Sequence, residues 1–130
     1  MDGASDASLS GSVPSTGTPN SVIAPHWGDN YVPGVMCVAT SGVAPNRLFI
    51  VEWPGTHYCC STSTTVLTYE VILRESSGII DFAYDEMTDA REQTMGIENQ
   101  TGELGINACP GGSGTCLPTA GQRVRFTPVP

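Results

Sequence analysis

The 130-residue chain predicts an all-β domain, an antiparallel β-sandwich of about seven or eight strands behind an N-terminal tail. Three observations lead there. From Val22 onward, short apolar runs recur at intervals of roughly ten residues, separated by Gly, Pro, Asn, Asp and Ser. Within the runs apolar and polar residues alternate, which gives each strand one dry and one wet face. No stretch sustains a helical period and no segment repeats. A closed barrel of the same strands is the alternative.

The elements follow in order. Residues 1–21 are Ser, Gly, Asp, Ala, Thr and Pro with Leu9 and Val13 as their sizeable apolar groups, the composition of a linker or a disordered or extended tail. If ordered, such a tail is expected to run as an added strand, centred on 5–13, across a neighbouring subunit. Residues 22–130 form the domain. A strand over 34–40 leads through the loop "SGVAPN" (41–46) to a strand over 48–53, with Phe49, Val51 and Trp53 inward and Leu48, Ile50 and Glu52 outward. "PGTHYCCSTST" (54–64) reads as a loop. In 66–74, Leu67, Tyr69, Val71 and Leu73 share the dry face; in 79–85, Ile80, Phe82 and Tyr84 oppose Asp81, Ala83 and Asp85. "ESSG" (75–78) joins these two as a hairpin turn. Further strands are expected over 93–98, 103–108 and 122–127. "NQT" (99–101) has the glycosylation pattern and reads as a turn.

Thirteen acidic residues against five arginines and no lysine give a net charge of −8. Nucleic acid and anionic membranes need a basic face, so both are excluded as partners. No run approaches the ~18 apolar residues of a membrane span. Five cysteines without a CxxC or any zinc-ligand spacing point to oxidised pairs in an exported protein. "CPGGSGTC" (109–116) is a Gly-rich loop whose ends can meet, which predicts a Cys109–Cys116 bridge. Cys37 then takes Cys59 or Cys60, and one thiol is left over. "MDGASDASLSGSVPSTG" lacks the basic start and apolar core of a secretory leader, so export implies a form whose leader has gone.

No nucleophile, base and carboxylate fall into a recognisable catalytic pattern, and no GxSxG elbow is present, so no enzyme is expected. His26 beside Trp27 and His57 beside Tyr58 read as packing. Glu52, Glu70 and Asp81 share a face expected to be wet, where carboxylates keep ordinary acidity. "DFAYDEMTDARE" (81–92) gathers Asp81, Asp85, Glu86 and Asp89. Hard oxygens so placed are the candidate calcium ligands, although the spacing fits no EF-hand, and a solvated strand end is the plainer reading. No other cofactor is expected. Trp27, Tyr31 and Tyr58 are the candidate aromatic platform for a sugar, with rim packing as the alternative.

Several stretches carry a family resemblance. "VIAPHWGDN" (22–30) resembles the apolar-Ala-Pro-Phe-Trp-x-Asp opening of nidogen-type extracellular domains, with His26 at an often aromatic position. "LTYEVILRESSGIIDFAYDEM" (67–87) is similar to their central hairpin, and "TMGIENQTG" (94–102) to the strand and turn that follow. "APNRLFIVEW" (44–53) is similar to a strand of related modules in large secreted bacterial proteins. The resemblance implies a non-catalytic extracellular module of a bacterial surface or secreted protein, serving structure or adhesion, with protein subunits or surface glycans as partners. The alternatives are a filament subunit assembled through the N-terminal tail, hence a homo-oligomer, and a small carbohydrate-binding module. Cys37, Cys59, Cys60 and the Cys109–Cys116 loop depart from the family pattern.

Overall fold

The computed structural model describes residues 11–59, 66–88, 90–112 and 114–129. Among them are nine strands and no helix, in two antiparallel sheets of three and six strands. The all-β antiparallel class read from the alternation is the class of the molecule. The chain divides into two compact units: unit 1 is Met1–Asn30 with Arg91–Leu117, and unit 2 is Tyr31–Ala90 with Pro118–Pro130.

The larger sheet holds β3 (Cys37–Ser41), β4 (Leu48–Tyr58), β5 (Leu67–Arg74), β6 (Ile80–Met87) and β9 (Arg123–Phe126), all of unit 2, and the two-residue β2 (Asn30–Tyr31), at which the chain passes from unit 1 to unit 2. Its order is β2-β4-β5-β6-β9, with β3 also on β4. The register sets Trp53 opposite Tyr69, Val71 opposite Phe82, Tyr69 opposite Tyr84 and Ile80 opposite Phe126. Residues directly opposite in an antiparallel pair share a face, so the expected dry residues become one apolar surface. Leu67, Tyr69, Val71, Phe82, Tyr84 and Phe126 are all buried there. Trp53 stacks on Tyr69 at 5.4 Å between ring centroids, and Phe82 meets Phe126 edge-on at 5.0 Å. The "ESSG" turn closes as expected: Gly78 N–H donates to the Arg74 carbonyl, and Arg74 N–H to that of Ile79.

Three details of unit 2 differ from the expectation. The segment 54–58 is strand rather than loop, because a register shift between Trp53 and Thr56 lets β4 continue past Pro54 and Gly55. Thr56, fully buried, anchors the continuation by donating to the Leu67 carbonyl at 2.9 Å. Phe49 is 41% exposed, since it flanks β3, every residue of which is exposed. Trp53 is only half-buried.

Unit 1 carries β1 (Ile23–Trp27), β7 (Thr94–Glu98) and β8 (Gly105–Asn107) in the order β1-β7-β8. Strand β1 is not among the strands that alternation predicts. Its Pro25 falls where the register shifts between Ala24 and Trp27 on an edge strand, a position that spares the ladder the missing N–H.

Residues 11–21, expected to order only against another subunit, pack within unit 1. Val13 is 3% exposed. Ser15 N–H donates to Glu98 Oε2 at 3.0 Å, Thr94 Oγ1 donates to the Gly11 carbonyl, and Ser21 N–H donates to the Asn99 carbonyl. Gly102, at φ +68°, admits this segment: a Cβ there would stand 1.9 Å from the Ser15 carbonyl oxygen. One apolar side chain and a row of hydrogen bonds replace the missing hydrophobic content. The portion of the expected added strand before residue 11 lies outside the described residues.

Candidate functional site

The face of the larger sheet opposite its apolar surface is built in cross-strand rows. One row runs Ala39, Ile50, Ile72, Asp81, Arg125. Asp81, expected on a wet face and as a calcium ligand, is 1% exposed. Arg125 Nε donates to Oδ1 at 2.6 Å and Nη2 to Oδ2 at 3.1 Å, while Arg74 Nε donates to Oδ2 at 2.8 Å. The Arg125 hydrogen bonds, seconded by those of Arg74, hold the Asp81 carboxyl below the usual carboxylate range against the opposing effect of burial. Both carboxylate oxygens are engaged by guanidinium groups, so this residue acts as the clasp of three strands.

The neighbouring row runs Cys37, Glu52, Glu70, Ala83, Arg123. Glu52 and Glu70 stand directly opposite on adjacent strands, an arrangement of like charges that costs stability. With Thr68, Asp85, Gln122 and Arg123 they line an open cavity of about 310 Å³. The sequence brought Glu52 and Glu70 to one face correctly; it did not show that Asp81 would be withdrawn from them by arginines. Asp85 and Glu86 are exposed on β6, and Asp89 lies outside the described residues. Among the described residues no group of three or more His, Cys, Asp or Glu side chains is placed to hold a metal ion.

A second cavity of about 300 Å³, at the other end of the sheet, is lined by Thr40, Arg47, Leu48, Phe49, Leu73, Arg74 and Glu75. Arg47 and Glu75 form a forked ion pair beside it, with Nε donating to Oε2 at 2.8 Å. The Arg47 hydrogen bonds hold the Glu75 carboxyl down at about 2.

Strand β3 lies beside these cavities. Among the described residues it pairs only with β4, in unbroken register from Cys37 opposite Glu52 to Ser41 opposite Leu48. Its flanks and outer positions are apolar and open: Val35 is 80% exposed, Val38 59% and Val43 81%. Between Tyr31 and Asn46 there is no Asp, Glu, Lys, Arg or His. The strand expected over 34–40 is thus found at Cys37–Ser41, within the uncharged stretch.

Cys109 and Cys116 are bridged, as the loop predicted, with Cα atoms 5.4 Å apart. Gln93 and Cys116 exchange two backbone hydrogen bonds beside the bridge. Cys37 is not joined to Cys59: it is an exposed free thiol opposite Glu52, while Cys59 follows the far end of β4. The seven residue steps from Glu52 to Cys59 span roughly 23 Å of extended chain, beyond the reach of a disulfide. Cys60 lies outside the described residues.

His26 is buried in unit 1. Its Nε2 donates to the Arg91 carbonyl at 3.1 Å, and Asn30 Nδ2 approaches Nδ1 at 3.4 Å. Asn30 and Gln93 join their amides face to face at 3.0 and 3.1 Å. Burial pushes the imidazole down to about 4, and a proton at Nδ1 would confront the Asn30 amide donor. The residue is thus a neutral structural imidazole, held by amides rather than by aromatic packing alone.

Of the aromatic platform, Trp27 lies in unit 1 against Gly11, where a Cβ would meet its ring at 2.2 Å. Tyr31 is 59% exposed and Tyr58 half-buried, both in unit 2. Asn99 of "NQT" is a turn residue, its Oδ1 accepting from Thr101 Oγ1 and Leu104 N–H. Among the described residues no helix is long and apolar enough to cross a membrane.

Comparison with known proteins places these observations. The family model described as NIDO related (nidogen-related) matches residues 2–128. No curated protein and no solved structure matches the chain.

Proposed function

The chain belongs to the NIDO-related family, and from that premise we propose that it is a non-catalytic extracellular module of a bacterial surface or secreted protein, working in structure or adhesion through its exposed sheet edge. The observation that carries this reading is β3, an accessible, regular and uncharged edge that carries exposed Val38 and is flanked by exposed Val35 and Val43. Soluble domains normally defend such an edge with charge, proline or a bulge, and an undefended one offers a template on which an extended strand can add. The Cys109–Cys116 bridge supports an oxidising compartment. Residues 11–21 are engaged within their own unit, which favours the β3 edge over this stretch of the tail as the assembly surface.

Two measurements test the reading. Antibodies against the domain should label intact source cells or the spent medium; labelling that appears only after lysis would overturn the extracellular assignment. Beads coated with the protein should adhere to one another or to source cells, and Val38→Lys should reduce that adhesion by about tenfold or more, because it places a charge on an edge used for pairing. Adhesion indifferent to Val38→Lys would remove the edge from the function.

A further inference from the structure

We infer that the Cys109–Cys116 bond is the latch of an oxidation-dependent clamp, which fastens the three points where the chain enters or leaves unit 1. Unit 1 becomes ordered only when this bond has formed, whereas unit 2 is ordered with the bond or without it. In a compartment that keeps thiols reduced unit 1 stays open, and it closes where disulfides persist.

The clamp is built around one buried amide, that of Gln93. Unit 1 consists of two stretches, Met1–Asn30 and Arg91–Leu117. The chain therefore leaves it after Asn30, returns at Arg91 and leaves again after Leu117. The Gln93 side chain pairs with the Asn30 amide at 3.0 and 3.1 Å, and its backbone exchanges two hydrogen bonds of 3.0 Å with Cys116. It lies over Gly28, where a Cβ would stand 2.1 Å from Gln93 Cδ. Asn30 Nδ2 also donates to the His26 carbonyl at 2.9 Å, and His26 Nε2 donates to the Arg91 carbonyl at 3.1 Å. The first exit, the return and the second exit are joined through Gln93, Asn30 and His26.

The latch sits on the weakest of these joints. Cys116 belongs to no strand, and its hydrogen bonds to Gln93 form an isolated bridge. The intervening "PGGSGT" (110–115) is rich in glycine, so an open loop has much freedom to lose on closing. Without the bond, that bridge and the Asn107 Nδ2 hydrogen bond to the Gly114 carbonyl at 3.0 Å would have to hold the loop. Net of water, so few hydrogen bonds contribute too little. Strands β5 and β6 contain no cysteine and pair along their length. Of the two sulfurs, Cys109 is buried and Cys116 half-buried. A dithiol reductant therefore attacks Cys116 Sγ; the S–S bond breaks, and Cys109 leaves as a thiolate and takes up a proton. The second thiol of the reductant then displaces Cys116, so the protein disulfide becomes two thiols as the dithiol becomes a disulfide.

Trypsin reads the clamp on the full chain. Arg91 is exposed, but its carbonyl, which the protease must attack, is held by His26. The oxidised protein should be cut slowly after Arg91. Dithiothreitol should speed that cut by about tenfold or more, because cleavage follows the population of the open form. Cys116→Ser without reductant should do the same, and it acts on this bond alone, whereas a reductant acts on every disulfide. The cut after Arg74 in unit 2 should stay within about twofold in both cases. Gln93→Ala, with the disulfide intact, should also speed the Arg91 cut. Equal acceleration at Arg74 and Arg91 overturns the inference, because the bond would then hold the whole molecule. An Arg91 cut unmoved by dithiothreitol or by Cys116→Ser overturns it too. So does protection of Arg91 that survives Gln93→Ala, since the clamp would not run through that amide.

Discussion

The two units hold themselves together by different means. Unit 2 is a sheet whose long strands alternate, and its buried residues are mostly the ones that alternation assigns: Tyr69, Val71, Phe82 and Tyr84. Unit 1 has three short strands and relies on polar and covalent fastenings. It buries His26, Gln93, Thr94 and Glu98 beside Val13, Ala24 and Met95, and closes the Cys109–Cys116 loop. One Glu98 oxygen is buried with no partner among the described residues, a cost that a larger apolar core would not carry. A short β unit poor in apolar residues can therefore be ordered, but its stability depends on protonation, redox state and a docked segment.

The largest expected effect lies in unit 2. Phe82→Ala should destabilise by ~3–5 kcal/mol, since Phe82 is fully buried against Phe126. Chemical denaturation followed by tryptophan fluorescence measures it, and a loss below ~1 kcal/mol would deny that the apolar face dominates this unit.

A smaller and more diagnostic effect belongs to unit 1. His26 is neutral in the fold down to about pH 4, whereas an unfolded histidine takes up its proton near 6.5. As pH falls from about 6.5 to 4, the unfolded chain therefore binds a proton that the folded chain does not, and stability is lost by up to ~3 kcal/mol. His26→Gln should flatten the stability profile over that interval. An unchanged slope in the variant would assign the acid sensitivity to other groups.

The smallest effect is the most local. Val13→Ala removes two buried methyl groups and should cost about 1.5 kcal/mol. Hydrogen exchange should quicken at Ser15 N–H, which donates to Glu98, while the amides of β5 and β6 keep their protection. Equal loosening of β5 and β6 would show that the two units do not open separately.

Much of unit 2 was readable because its determinants are local. Period-two alternation in Leu67–Arg74 and Ile80–Met87, with the "ESSG" turn between them, specifies faces and pairing before any tertiary contact is known. The Cys109–Cys116 bridge was readable for the same reason, being a closure over seven positions. In the tail, composition did not reveal that Val13 and a close approach over Gly102 hold residues 11–21 within unit 1.

By itself, then, the sequence determined the all-β class, the dry face of the central strands, the local disulfide and the uncharged character of residues 31–46. Only the tertiary structure decided that Asp81 is clasped by Arg74 and Arg125, that Cys37 lies opposite Glu52 rather than near Cys59, and that the uncharged stretch is an open edge. The reason is common to all three. Strand register sets which distant residues become neighbours, and a pleated strand states its own faces but not the partner on either side.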